Sequence, residues 1–352
     1  MEISKTLGLN DERFCKVMNT TKMFGIVNVL GHAAELHYEK FLKKQNIQFD
    51  KGANDEHYDY VVNNFKDQVK RFETQYTTAD TLSANLTKTH GNRSAATGGS
   101  YYFRNNFDRL VIQDLDHTFS IINTNEIPVN KKYPNQLPGR YKFRRDKKFT
   151  PFQNDLLDAL KQKNENFIPA IENLRKKYNH KNYIQTWEAI SGLTLEETDS
   201  LFSKENFRLI TAAKGFVAEE HFNKFLDENN IPYTHSKAMY SKADHIVNGK
   251  RFQVKTTHPR STDATRWGFK THKSHGHGPG ELYKNDAFDV AVVFVGYDYT
   301  ASNDNYTPSS VKTEFIFVPI TEIDEHPKYP GHLKRITRVL KSDYKINDLT
   351  NF

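Results

Sequence analysis

One pattern runs through the 352-residue chain twice, so any fold must be built from two like halves. Gly31-His-Ala-Ala-Glu35-Leu-His37-Tyr-Glu-Lys40-Phe-Leu42 is matched by Gly215-Phe-Val-Ala-Glu219-Glu-His221-Phe-Asn-Lys224-Phe-Leu226. Upstream, Gly8-Leu9 with Glu12 corresponds to Gly192-Leu193 with Glu196. Downstream, Asp59 followed by Gln68-Val69-Lys70 corresponds to Asp244 followed by Gln253-Val254-Lys255, at the same internal separation. Lys88-Thr-His90 answers Lys270-Thr-His272, and Tyr102 with Phe107-Asp108 answers Tyr283 with Phe288-Asp289. Lys132-Tyr133-Pro134 with Leu137 then reappears as Lys328-Tyr329-Pro330 with Leu333. The expected organisation is a first repeat over 1–145, a basic and helical connector over 146–184, and a second repeat over 185–352.

Each copy reads as a mixture of helix and strand. Ala34, Tyr38, Phe41 and Leu42, like Ala218, Phe222, Phe225 and Leu226, have the spacing of an amphipathic helix, with Glu35 and Glu219 beside the apolar stripe. A hairpin follows each helix, turning at Asn63-Asn64 and at Asn248-Gly249, because Asn and Gly accept the positive φ that a tight hairpin turn demands. Strand alternation then puts Gln68 and Lys70 on one face with Val69 on the other, and likewise Gln253 and Lys255 opposite Val254. The β-branched runs at 109–113 and 289–295 read as buried strands. In the connector, Leu156, Leu157, Leu160, Ile168, Ile171 and Leu174 predict two short helices, with Pro169 as an interruption.

Composition narrows the setting. The longest apolar run, Val290 to Val295, is far short of the roughly 20 residues needed to span a bilayer, so no membrane partner is expected. No apolar signal core follows Met1, and the single cysteine, Cys15, excludes an intrachain disulfide, so a reducing cytoplasm is the expected location. The formal net charge is +7, and the stretch from Lys131 to Lys148 holds eight basic residues against the one acid Asp146. That stretch, with Arg140, Arg144 and Arg145 among its cations, suits a surface that tracks phosphates or a solvated basic linker. Lys88, His90, Lys270 and His272 fall in segments where short polar and basic side chains reach phosphates or base edges, or cap a turn.

A hairpin that brings Asp59 near Lys70, beside a helix carrying Glu35, makes a place where carboxylates can hold a divalent cation while an ammonium faces the same point. Oxygen ligands of this kind suit Mg²⁺, which takes one or two carboxylates together with water and a substrate phosphate. Asp244, Lys255 and Glu219 repeat the set. These residues resemble the PD-(D/E)XK nucleases, the superfamily of most Type II restriction endonucleases, with Gln68 and Gln253 standing where the family more often has an acid.

The resemblance implies two tandem restriction-endonuclease-like domains, each a central mixed β-sheet flanked by helices, related by a pseudo-two-fold. It implies Asp59, Gln68, Asp244 and Gln253 as metal ligands, Lys70 and Lys255 as groups that orient the attacking water, and Glu35 and Glu219 as supporting acids. It further implies a Mg²⁺-dependent endonuclease on double-stranded DNA, working as a monomer with one site per strand, alongside a cognate DNA methyltransferase. A structure-selective repair or recombination nuclease, and a non-catalytic DNA-binding protein on the same scaffold, stay open.

Overall fold

The computed structural model describes residues 1–22, 28–53, 57–87, 101–145, 147–202, 207–235, 243–272, 282–299 and 307–350. The segments carrying Lys88 and His90 lie outside them. Among the described residues no helix is long and apolar enough to cross a membrane.

The first half begins with helices α1 (Glu2–Thr6), α2 (Asp11–Thr20) and α3 (Leu30–Lys44). Strands β1 (Phe49–Lys51), β2 (Tyr60–Val62), β3 (Phe65–Arg71), β4 (Thr81–Asn85), β5 (Arg109–Gln113), β6 (Phe119–Asn123) and β7 (Arg140–Arg144) follow. A mixed sheet has the order β1-β2-β3-β5-β6, with β3 parallel to β5 and every other pairing antiparallel. The β2–β3 turn is made by Asn63 and Asn64 at φ 50° and 67°, as its composition requires. Val69 and Val111 on one sheet face pack under Ala34, Tyr38 and Leu42 of α3. Leu110 and Ile112 on the other face join Leu86, Tyr102 and Phe107 in a second core, roofed by an antiparallel ribbon of β4 and β7.

The connector folds as α4 (Pro151–Lys161) and α5 (Asn164–Lys177), followed by α6 (Tyr183–Ser191) and α7 (Leu195–Ser200). Thr150 caps α4 in a reciprocal box with Gln153. Pro169, which the sequence places as an interruption, lies inside α5, and the helix runs through it.

The second half repeats the plan with α8 (Phe207–Glu228), β8 (Tyr233–His235), β9 (His245–Val247), β10 (Lys250–Thr256), β11 (Arg266–Lys270) and β12 (Val290–Phe294). Two short strands, β13 (Tyr297–Asp298) and β14 (Ser310–Val311), pair with each other. After β15 (Phe315–Pro319) come the paired β16 (Glu325–His326) and β17 (Tyr329–Leu333), then β18 (Ile336–Leu340). The sheet order is β8-β9-β10-β12-β15, again with a single parallel pair, β10 with β12. Its turn uses Asn248 at φ 50° and Gly249 at φ 78°. A ribbon of β11 and β18 covers its second core.

Packing divides the chain differently from the repeat. One compact unit comprises Met1–Phe24, Asn182–Ile184 and Leu195–Phe352; the other comprises Gly25–Lys181 and Gln185–Thr194. The first copy's opening helices therefore pack with the second sheet. There Leu7 O accepts a hydrogen bond from His221 Nε2 at 2.9 Å, and Lys16 pairs with Glu220 at 3.2 Å. The second copy's counterpart packs with the first sheet, where Gly192, at φ +69°, sits so close to His117 that an added Cβ would lie 2.6 Å from its ring.

Candidate active sites

The hairpin turn fixes the register, and the register brings each Asp to its Gln. Asp59 lies just before β2, with its backbone N–H donating to Asp67 O at 2.8 Å across the hairpin. Its carboxylate Oδ2 accepts from Gln68 Nε2 at 2.5 Å and from the Val69 backbone N–H at 2.7 Å. In the second copy Asp244 Oδ2 accepts from Gln253 Nε2 at 2.5 Å and from the Val254 N–H at 2.7 Å. The two arrangements agree to a tenth of an ångström although Asp67, before Gln68, is replaced by Phe252, before Gln253.

The remaining members act electrostatically on the same carboxylates. Glu35 on α3 is pushed well above the ordinary carboxylate range, first by burial and then by the charge of Asp59, with Lys70 opposing. Glu219 on α8 is raised in the same way by burial and by Asp244, with Lys255 opposing. Asp59 and Asp244 are raised by burial, against the pull of Lys70 and Lys255 and of the Val69 and Val254 N–H groups. Burial works against the charge of Lys70, but Tyr102, Asp59 and Glu35 outweigh it and leave the ammonium raised. All eight expected catalytic residues are thus gathered into two sets of four, each combining two acids, one amide and one lysine.

Sequence reasoning overlooked a fifth member. Lys255 Nζ donates to the Tyr283 hydroxyl at 3.3 Å and lies 4.9 Å from the centre of its ring. Lys70 Nζ lies 5.5 Å from the ring of Tyr102. Both tyrosines are 6% exposed. The signal was present, since Tyr102 and Tyr283 open one of the repeated blocks, but an aromatic before a Phe reads as core.

His37 and His221 turn away from these sites. Within hydrogen-bond distance of His37 Nδ1, at 2.7 Å, is Gln113 Nε2, while His221 is occupied with Leu7 O. Both are buried beside the sheet. Of the basic residues expected to meet nucleic acid, Arg140 and Arg144 lie on β7 and Lys270 on β11, while His272 follows β11 with Nδ1 3.0 Å from Arg335 O. Arg145 departs from the expectation: it is 7% exposed, its Nε donates to Asp114 Oδ2 at 2.7 Å, and its guanidinium stacks on Phe149 at 3.7 Å. Arg145 lies two residues beyond the inward-facing Phe143 and so continues the inner face of β7, and there the cation is committed to the protein.

Whether the sets suit a divalent cation is answered by their oxygens. Among the described residues no three of His, Cys, Asp and Glu are grouped as metal ligands. The third oxygen here is an amide: Gln253 Oε1 is buried and has no hydrogen-bond partner among the described residues. An orphaned carbonyl beside two carboxylates that burial pushes toward protonation, Glu219 further so by the charge of Asp244, is a place where a cation would be favoured, and hard oxygen donors fit Mg²⁺.

No family model matches the chain, and no curated protein matches it. Among solved structures, the chain is similar to a bacterial homing endonuclease, I-Ssp6803I, at 18% identity over 45% of this chain and 99% of that one, with a TM-score of 0.26. Similarity at this level determines neither fold nor activity.

Proposed function

We propose that the protein is a Mg²⁺-dependent endonuclease of duplex DNA, of the Type II restriction kind, with one phosphodiester-hydrolysing site in each half. The carrying observation is the Asp–Gln–backbone arrangement built twice to the same distances, with a lysine and a helix glutamate directed to it in both copies. Surface decoration does not recur with that fidelity when a neighbouring residue changes from Asp to Phe.

Asp59 with Gln68, and Asp244 with Gln253, would hold the cation, supported by Glu35 and Glu219. When bound, Mg²⁺ supplies Lewis acidity to the scissile phosphate and eases deprotonation of water. The chain's own residues do the positioning. Lys70 and Lys255 orient the attacking water and meet negative charge developing on phosphorus-bound oxygen. Tyr102 and Tyr283 hold those ammonium groups in place. Because each site is complete within one copy, a single chain has the two sites that cutting both strands requires, and a cognate DNA methyltransferase would protect the cell's own DNA.

The test is incubation of the purified chain with long unmodified duplex in Mg²⁺ and in chelator. Discrete Mg²⁺-dependent fragments are expected. Duplex that stays intact in Mg²⁺ while the protein binds it would overturn the nuclease reading.

A further inference from the structure

The two ribbons are equivalent in register, and their inner faces are alike. Leu82 and Phe143, with Ala84 and Tyr141, face the core in the first, as Trp267 and Val339, with Phe269 and Thr337, do in the second. Their outer faces are not alike. The matched blocks that end at Leu137 and Leu333 align Arg140, Lys142 and Arg144 of β7 with Ile336, Arg338 and Leu340 of β18.

Across the first ribbon, Arg140 pairs with Asn85 and Arg144 with Thr81. Across the second, Ile336 pairs with Lys270 and Leu340 with Arg266. Each of these cross-strand pairs keeps one cation, but the cation has moved to the opposite strand. With Lys142 and Arg338 at the centres, each outer face carries three cations. Arg140 is fixed in place, bonded to Glu73 at 2.5 and 2.9 Å and stacked on Tyr76 at 3.4 Å. On the second ribbon the vacated positions are apolar, and Ile336 and Leu340 are 38% and 43% exposed.

The centres of β4 and β11 are covered, Ser83 being fully buried and Gly268 lying against Ser261, so the faces are open along β7 and β18 and at the ribbon ends, and cations there suit the phosphate walls of a major groove that admits a β-ribbon. The first face is the less charged of the two, because Arg140 is paired with Glu73. What differs is the chemistry presented to base edges: the hydrogen-bond donors of Lys142 and Arg144 in the first, and apolar groups in the second. In the major groove the apolar feature is the thymine C5-methyl.

We propose that the two ribbon faces enter the major groove and read unlike half-sites, the second recognising thymine methyls through Ile336 and Leu340. The proposal rests on the reading of the chain as a DNA enzyme but does not need cleavage to be tested.

The experiment selects duplexes from a random library on the full chain in chelator, then repeats binding with deoxyuridine in place of thymidine in each half-site. Two dissimilar half-sites are expected, one containing thymine, where loss of each contacted methyl weakens binding about fourfold. Ile336→Arg with Leu340→Arg should alter the selected bases in that half alone. Identical half-sites, no sequence preference, or indifference to deoxyuridine in both halves would overturn the proposal. Should the double variant fold poorly, the deoxyuridine comparison on the unaltered chain still decides. Selective binding without Mg²⁺-dependent cleavage would overturn the nuclease reading and leave the ribbons' role standing, whereas cleavage at sites indifferent to both tests would do the reverse.

Discussion

Gln253 gives an amide N–H to Asp244 Oδ2 at 2.5 Å while its own Oε1 lies buried without a partner among the described residues. A buried acceptor left unsatisfied costs about 1–3 kcal/mol, which a bound cation would offset. Gln253→Ala should therefore weaken Mg²⁺ binding, read by calorimetry, and slow cutting at one site. Asp244→Asn should leave a nicking enzyme with the Asp59 site intact, and Asp59→Asn with Asp244→Asn should cut neither strand. Double-strand cutting that survives the Asp244→Asn change would remove Asp244 from the chemistry.

Lys255→Met should lower the rate at its site about 10²-fold, the usual effect of deleting one charge-stabilising donor. Tyr283→Phe removes only the hydroxyl that receives Lys255, so a fall of about fivefold in kcat with KM unchanged is expected. A change confined to KM or to thermal stability would mean that Tyr283 is a packing residue only.

Asp67 is fully buried and held by Arg109, with Nε to Oδ1 at 2.6 Å, and by the Tyr38 hydroxyl at 2.7 Å. The corresponding positions of the second copy are Phe252, Val290 and Phe222, with Phe222 and Phe252 stacked at 6.3 Å. Breaking such a pair costs about 3–5 kcal/mol because it strands the other charge, whereas replacing all of it by apolar groups is often neutral. Urea unfolding should show Asp67→Ala strongly destabilised, and the triple change Tyr38→Phe, Asp67→Phe, Arg109→Val close to the parent. A triple variant as unstable as the single one would argue against interchangeable cores.

Burial, aided by the nearby His37 and Arg71, depresses His117 from 6.5 to about 4. The unfolded chain therefore binds the proton more readily between those values, and stability should fall as pH drops from about 6.5 to about 4. His117→Asn removes the titration and suits the backbone, since His117 sits at φ 60° where Asn is tolerated. The difference in melting temperature between parent and variant should change across that window; a constant difference would mean that His117 does not titrate there.

Much of this was legible in the residues. The helix stripe, the Asn turns and the alternation of Gln68 with Lys70 are local properties, and each predicts an element found in its place. The grouping of Asp59 with Gln68 and Lys70 was legible because a hairpin closes a short loop. Tyr102 was not, because the chain returns it to Lys70 from beyond a long intervening segment. Arg145 misled because charge in a sequence carries no information about which side of a strand end it falls on.

The sequence by itself determined what each copy is made of, since turns, periodicity and hairpin register depend on near neighbours along the chain. Only tertiary packing decided which pieces belong together. Two like copies offer two like docking surfaces, so the helix and Gly turn around Gly8 suit either sheet as far as pattern goes. The structure seats Gly8 against Val311 and His221, and Gly192 against His117, exchanging the two arms. No period or spacing distinguishes those outcomes, because the choice lies in contacts between residues far apart in the chain.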